Sequence, residues 1–361
     1  MNPTRRLHDL GQSLWLDNIT RDLLDDGTLK RYIAELSITG LTSNPSIFDA
    51  AIGGGDSYDA SIREKAAAGG SGESLFIELA LEDLRRAADL FRPEFDTTGG
   101  IDGWVSMEVS PLLARDTKGT IRAARTIYDQ ADQPNLFVKI PGTPEGIPAI
   151  EASIFDGVPI NVTLLFSCDQ YLAAAEAYLR GIERRLEAGR DPRVGSVASL
   201  FISRWDVAVQ DEVPTDLRNR LGIAVARQTY RSYRELLDSK RWGALADAGA
   251  EPQRLLWAST GTKDPEASDT LYVEALAAPD TVDTIPEKTL HAFAEHGVVG
   301  DPLPRNGGDA DSLLKRFSEA GVDLDALALR LQEEGAEAFV KSWEKLLGRI
   351  AEKSASLAQT G

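Results

Sequence analysis

NLFVKIP (135–141) and, one helix length later, VPINVTLLF (158–166) are the stretches on which the fold turns. Both are apolar runs of strand length, yet Lys139 stands between Val138 and Ile140, and Asn161 and Thr163 alternate with Val162 and Leu164. Six further runs repeat the theme: SLWLDN (13–18), ITGLTSN (38–44), WVSMEVS (104–110), VASLFIS (197–203), RLLWAST (254–260) and, weakest, DTVDTIP (280–286). Helix-length segments separate them, among them ESLFIELALEDLRRAADLF (73–91), CDQYLAAAEAYLRGIERRLEAG (168–189) and GIAVARQTYRSYRELLDS (222–239). In each, apolar residues recur at three-to-four spacing with charges opposite. Strands of five to nine residues joined by helices predict a parallel sheet with crossover helices.

Eight such units suit a closed (β/α)8 barrel better than an open doubly wound sheet. No GxGxxG follows the first strand and no GxxxxGK[ST] occurs, so neither nucleotide fingerprint favours the open sheet. A long second crossover (45–103), punctuated by GGG (53–55) and GGSG (69–72), predicts extra helices joined by flexible loops. Beyond the eighth run, GDPLPRNGGD (300–309) sets off further helical patterning at 309–319 and 323–353. The expectation is one domain over 1–361, with a barrel core of about 13–290 and a C-terminal helical extension of about 291–361.

Composition narrows the function. The 361 residues carry 39 Lys+Arg against 57 Asp+Glu, a net charge of −18, with no long basic run. Phosphate neutralisation needs clustered cations, so nucleic acid is not an expected partner. Three His and the single Cys168 cannot build a Cys/His zinc site, although a carboxylate-held Mg²⁺ or Ca²⁺ stays open. Cys168 opens a helix and reads as a small packing residue. The start, MNPTRRLHDLGQSLWLDN, has no apolar leader segment, and no run approaches the roughly 18 apolar residues of a membrane span. A cytoplasmic protein without a membrane partner is the expectation; the sequence leaves the oligomeric state open.

The informative residues are polar ones in apolar strands, because burying them unpaired is costly. Alternation puts Thr42 with Asn44 and Asn161 with Thr163, sets Asp17 with Trp15, and sets Glu108 opposite Met107 and Val109. All fall near the C-terminal ends of their strands, where catalytic groups emerge from such a barrel. Lys139 has two readings: a snorkelling or salt-bridged strand lysine, or a desolvated amine able to attack a carbonyl and form a Schiff base. Asp17 and Glu108 are then its buried partners or acid–base groups, and Asn161 and Thr163 cross-strand hydrogen-bonders or site residues. Their convergence on one end of one barrel favours a site.

At these residues the chain resembles transaldolase, the pentose-phosphate enzyme of carbohydrate metabolism that works through a lysine Schiff base. LWLDN, GLTSNPSIF, VSMEVSP, FVKIPGTPEG, INVTLLFS, SLFISRWD and LLWASTGTKDP occur in the family order over roughly 13–290, and the chain is similar to the longer bacterial type. The resemblance implies that Lys139 is the Schiff-base lysine and Asp17 the carboxylate that takes the proton from the substrate C4 hydroxyl. It makes Glu108 the acid that works through a water held by Thr163. Asn44 and Asn161 become amides for substrate hydroxyls with Thr42 beside them, Ser199 contacts substrate, and Arg204 grips the sugar phosphate. Many relatives carry a second phosphate-binding arginine after strand seven. Here ASTGTKDP keeps Ser259 and offers Lys263 as the nearest cation. The implied chemistry transfers a dihydroxyacetone unit between sugar phosphates and needs no metal or organic cofactor. Two alternatives are a fructose 6-phosphate aldolase, whose members tend to carry glutamine in place of Glu108 and tyrosine in place of Phe201, and a non-catalytic sugar-phosphate-binding barrel.

Overall fold

The computed structural model describes residues 2–359. Its strands are β1 Gln12–Leu16, β2 Ile38–Leu41, β3 Val105–Glu108, β4 Leu136–Pro141, β5 Ile160–Leu165, β6 Ser196–Phe201, β7 Gln253–Ala258 and β8 Thr281–Ile285, and they close into one parallel barrel in chain order. Helices follow every strand, as the alternating pattern predicts. Some paired segments stop short of the apolar runs. ITGLTSN is strand only as far as Leu41: the Thr42 N–H still donates to the Leu16 carbonyl at 2.8 Å, and Asn44 already caps the helix Pro45–Gly53.

Alternate residues of each strand point into the barrel, and large aromatics fill its middle. Trp104, just before β3, stacks on Phe137 of β4 with ring centres 3.9 Å apart, and Trp15 of β1 lies 6.1 Å from the same ring. Gly40 makes this packing possible: a Cβ there would lie 2.7 Å from the Trp104 carbonyl oxygen and 2.8 Å from the Trp15 indole. A buried polar network fills the barrel interior at its N-terminal end. Buried Arg254 donates to Ser13 Oγ at 2.7 Å and to the carbonyls of Thr281 and Ile101. Asp102 accepts from Ser13 and, at 2.8 Å, from Trp15 Nε1. The opposite, C-terminal end is where catalytic groups emerge in such a barrel.

The second crossover contains the expected extra helices, Pro45–Gly53, Asp59–Ala67 and Gly72–Thr97, with the glycine clusters at their junctions. Buried Arg21 holds them to the segment after β1: it donates to Asp83 at 3.0 Å and lies 4.4 Å over the Tyr58 ring, and Tyr58 also donates to Asp83.

The C-terminal segment folds into the helices Glu287–His296, Ala310–Glu319 and Leu324–Gln359. The last, 36 residues long, is tied to the barrel at its start. Leu164 adopts a left-handed backbone (φ 58°), the β5–β6 register shifts beside it, and Gln332 Nε2 donates to the Leu164 carbonyl at 2.9 Å and to that of Gly142 at 3.1 Å. Further along, Lys345 and Arg349 pair with Asp49, and Lys353 with Asp59. No helix among the described residues is long and apolar enough to cross a membrane.

Asp283 of β8 is fully buried. Its Oδ1 accepts from Thr260 Oγ1 at 2.8 Å, and Oδ2 has no partner among the described residues. Burial pushes its carboxyl up to about 7, from an ordinary 3.8. The folded chain thus keeps a proton there that the unfolded chain has already released, so this group costs stability as pH rises from near 4 through about 7. Asp283→Asn should remove that cost. Between pH 5 and pH 8 its unfolding free energy in urea should gain on the parent's by about 2–3 kcal/mol, at about 1.4 kcal/mol per pH unit. Identical pH dependence of the two proteins would contradict the assignment.

Candidate active site

A cavity of about 270 Å³ opens at the C-terminal end of the barrel. Asp17, Thr42, Asn44, Lys139, Thr163, Ser199, Phe201, Arg204, Ser259 and Lys263 all line it, ten of the twelve residues singled out from the sequence. Glu108 and Asn161 stand just behind its wall.

Strand register builds the centre. Glu108 of β3, Lys139 of β4 and Asn161 of β5 are neighbours in adjacent ladders, so their side chains enter the interior at one level. Lys139 Nζ lies 2.8 Å from Glu108 Oε1 and donates to the Ser43 carbonyl at 3.0 Å. The approach to Glu108 is close but off the direction a hydrogen bond prefers, so Oε1 has an ion-pair contact and no aligned donor. Thr163 Oγ1 is likewise buried without a hydrogen-bond partner among the described residues. Two unsatisfied oxygens beside a charged amine mark a place suited to a water or a substrate hydroxyl.

Asp17 follows the last residue of β1, and its backbone N–H donates to the Ile285 carbonyl at 2.9 Å. Its Oδ1 accepts from Thr42 Oγ1 at 2.9 Å, and the Thr42 hydroxyl lies 2.7 Å from that of Thr284 on β8. If Thr42 donates to the carboxylate, Thr284 donates to Thr42, so a two-hydroxyl relay orients the acid. Burial raises the Asp17 carboxyl above its ordinary value, opposed by the Lys139 charge, the Thr42 bond and, more distantly, Lys263. Burial also raises Glu108; Lys139 opposes that shift and the Asp17 charge adds to it. Two acids thus share one nearby ammonium ion.

The amides differ. Asn44 caps the helix that follows it: Oδ1 accepts from the Ile47 N–H at 3.1 Å and from Ser46 Oγ at 2.6 Å, which leaves Nδ2 uncommitted among the described residues. Asn161 is fully buried, accepting from Ser199 Oγ at 2.7 Å and donating to Ser106 Oγ at 3.3 Å. The structure therefore places it under the floor as a brace for Ser199.

The rim is cationic. Arg204 is exposed in the first turn of the helix Ser203–Val209, with no ion-pair partner among the described residues. Asp206, the acid nearest to it in sequence, is turned away and buried. It accepts from the backbone N–H of Leu221 at 2.8 Å and from the Tyr272 hydroxyl at 2.9 Å, and burial pushes its carboxyl up to about 6. Ser259, directly after β7, has a left-handed backbone (φ 57°), a conformation uncommon for a residue with a Cβ and held by its surroundings. Here the Ser203 N–H donates to the Ser259 carbonyl at 3.1 Å, and the two hydroxyls lie 3.0 Å apart. Lys263 reaches the same rim. Cys168 is not among the residues lining the cavity; it is half-buried, its Sγ 3.2 Å from Ser232 Oγ.

Four lining residues escaped the sequence reading: Ser46, Ala258, Thr284 and Phe339. Thr284 was within reach, since it shares the inward face of β8 with Val282 and sits at that strand's C-terminal end. Phe339 lies on the last helix, where its spacing with Trp343 and Leu346 reads as ordinary core. No group of three or more His, Cys, Asp or Glu among the described residues is arranged to hold a metal ion.

A family model described as transaldolase/fructose-6-phosphate aldolase matches residues 14–350. A protein named transaldolase from Thermobifida fusca is 45% identical over 364 residues, covering 98% of this chain and 99% of that protein. Proteins of the same name from Thiobacillus denitrificans and Mycolicibacterium smegmatis are 44% and 43% identical, covering 97% and 93% of this chain.

The relay to Asp17 can be tested without substrate. Thr42→Val deletes the bond that favours the ionised carboxylate, so the Asp17 side-chain carbon, followed by NMR, should titrate at higher pH than in the parent. Asp206, whose shift involves neither Thr42 nor Asp17, serves as the internal reference. An unmoved Asp17 titration would show that the 2.9 Å contact does not bias the acid.

Proposed function

The chain belongs to the transaldolase/fructose-6-phosphate aldolase family, and from that premise we propose how the cavity at its barrel mouth carries out the reaction. The activity is that of a transaldolase. A dihydroxyacetone unit passes from sedoheptulose 7-phosphate or fructose 6-phosphate to glyceraldehyde 3-phosphate or erythrose 4-phosphate through a lysine Schiff base.

The observation that carries the reading is the Lys139 amine on the wall of a polar cavity, 2.8 Å from one carboxyl group, with a second on the same floor. Lys139 attacks the donor's ketone. Glu108, through a water held against the Thr163 hydroxyl, supplies the proton that lets the carbinolamine lose water. Asp17, oriented by Thr42 and Thr284, then takes the C4 hydroxyl proton as the C3–C4 bond breaks. The electron pair of that bond flows into the iminium and leaves a three-carbon enamine on Lys139, while an aldose phosphate departs. A second aldose phosphate enters and the steps run in reverse. Asn44 Nδ2 and Ser199 bind substrate hydroxyls, and Asn161 acts through Ser199.

Arg204 and Lys263 hold the phosphate. A dianion approaching a chain of net charge −18 meets an unfavourable overall field, so binding rests on cations focused at the rim. Arg204 has a planar fork that grips phosphate oxygens in pairs, and Lys263 adds a point charge. The reading treats 1–361 as one functional unit, since the last helix contributes Phe339 to the cavity.

Fructose 6-phosphate followed by borohydride should leave a reduced three-carbon adduct at Lys139, and Lys139→Ala should lower turnover by about a thousandfold or more. Asp17→Ala should trap the intact six-carbon adduct, because it forms the imine and stalls before cleavage. A three-carbon adduct formed there at the normal rate would remove Asp17 from the cleavage step. Arg204→Ala should raise KM for fructose 6-phosphate by roughly a hundredfold, the worth of about 2–3 kcal/mol of charge-assisted bonding. Unphosphorylated fructose should be nearly unaffected; equal losses on both sugars would mean that Arg204 supports the fold and does not read the phosphate.

A further inference from the structure

Thirteen of the fourteen residues lining the cavity come from a barrel strand or from the segment directly after one. The exception is Phe339, half-buried on the helix Leu324–Gln359. It is also out of chemical character, since Phe201 and Ala258 are the only other side chains there made of carbon alone. The helix is pinned on both sides of Phe339. Two turns before it, the buried Gln332 amide bonds the carbonyls of Gly142 and Leu164, just past Lys139 on β4 and beside Thr163 on β5. After it, Lys345 and Arg349 are held by Asp49, and buried Trp343 packs edge-on against Phe76. The phenyl ring is thereby fixed over a polar cavity that holds a reactive amine.

The catalytic reading leaves a step at which water is a rival substrate. Once the first aldose phosphate has gone, the enamine waits for the second. If its carbon takes up a proton, water adds to the resulting iminium carbon. The C–N bond then breaks, returning the Lys139 amine and releasing free dihydroxyacetone. Resting on that reading, we propose that Phe339 keeps water from this enamine, and so sets the ratio of transfer to release. The ring is the one part of the lining that the barrel does not supply, and an apolar wall offers water no partner to hold it there.

The ordinary role for Phe339 is packing, as one more member of the stripe with Trp343, Leu346 and Ile350, and the experiment separates the two. Release of dihydroxyacetone from fructose 6-phosphate alone is compared with transfer to erythrose 4-phosphate in the parent, Phe339→Leu, Phe339→Val and Phe339→Ala. Borohydride trapping and thermal melting are followed in each. Release relative to transfer should rise in the order of side-chain volume lost, by roughly tenfold in Phe339→Ala, with the trapped adduct unchanged. Trp343→Phe, in the same stripe but off the cavity, should lower the melting temperature and leave the ratio as it was. Should Phe339→Ala fail to fold, the leucine and valine variants still decide, because a flat ratio in both overturns the proposal. A parent protein that traps no adduct would sink the Schiff-base reading itself, whereas normal trapping with a flat ratio sinks only the role of Phe339.

Discussion

An ammonium ion and a carboxyl group 2.8 Å apart, exposed by only 6% and 7%, have lost nearly all their water and depend on each other. Desolvating such a pair costs several kcal/mol per ion, and only good geometry with further polar contacts repays it. Geometry here is register. Slipping β4 by one residue would turn Lys139 outward among the helices and bring Val138 or Ile140 into the barrel. The closed ladder resists that slip, and so do the Trp104–Phe137 stack, the space left by Gly40 and the Arg254–Asp102 network, none of whose residues lines the cavity. Much of the lower barrel can be understood as the scaffold that fixes this one pair.

The same alternation made much of the molecule legible in advance. Short apolar runs between helix-patterned segments marked all eight strands, and polar residues near their C-terminal ends, sorted onto faces by alternation, pointed to Lys139, Asp17, Glu108 and Thr163 before any contact was visible. What alternation could not resolve was depth. Asn161 and Thr163 share a face two residues apart, yet one lies beneath the floor and the other lines the cavity, because Thr163 stands about 6–7 Å further along the strand toward the mouth. Spacing along the chain also could not reveal Phe339, whose helical stripe is identical whether it meets core or cavity. Lys263 was uncertain for a similar reason: a loop's path is set by its packing, and its residue count leaves that path open.

Raised carboxyl groups are scattered through this protein, and most serve the fold. Asp83 is held by Arg21 and Tyr58, Asp206 covers the first N–H groups of a helix, and Asp283 accepts from a single threonine at a cost to the native state. Asp17 and Glu108 are shifted by the same cause, burial, and in the same direction. What distinguishes them is company: a shared lysine, a cavity, and hydroxyl groups with bonding capacity to spare. Perturbation by itself does not locate chemistry, whereas several perturbed groups facing one space do.

The tether between Gln332 and the ends of β4 and β5 spans 190 and 168 positions of sequence. The pairing of Arg349 with Asp49 spans 300. A ribosome making this chain from its N-terminus would finish every strand of the barrel, ending at Ile285, 47 residues before Gln332 is added, so Lys139 and its acids can be in place while the last helix is still missing. The growing molecule would acquire the Lys139–Glu108 pair first and the helix that carries Phe339 last. If Phe339 shields the amine as proposed, the order of synthesis runs opposite to the order in which the finished protein needs protection.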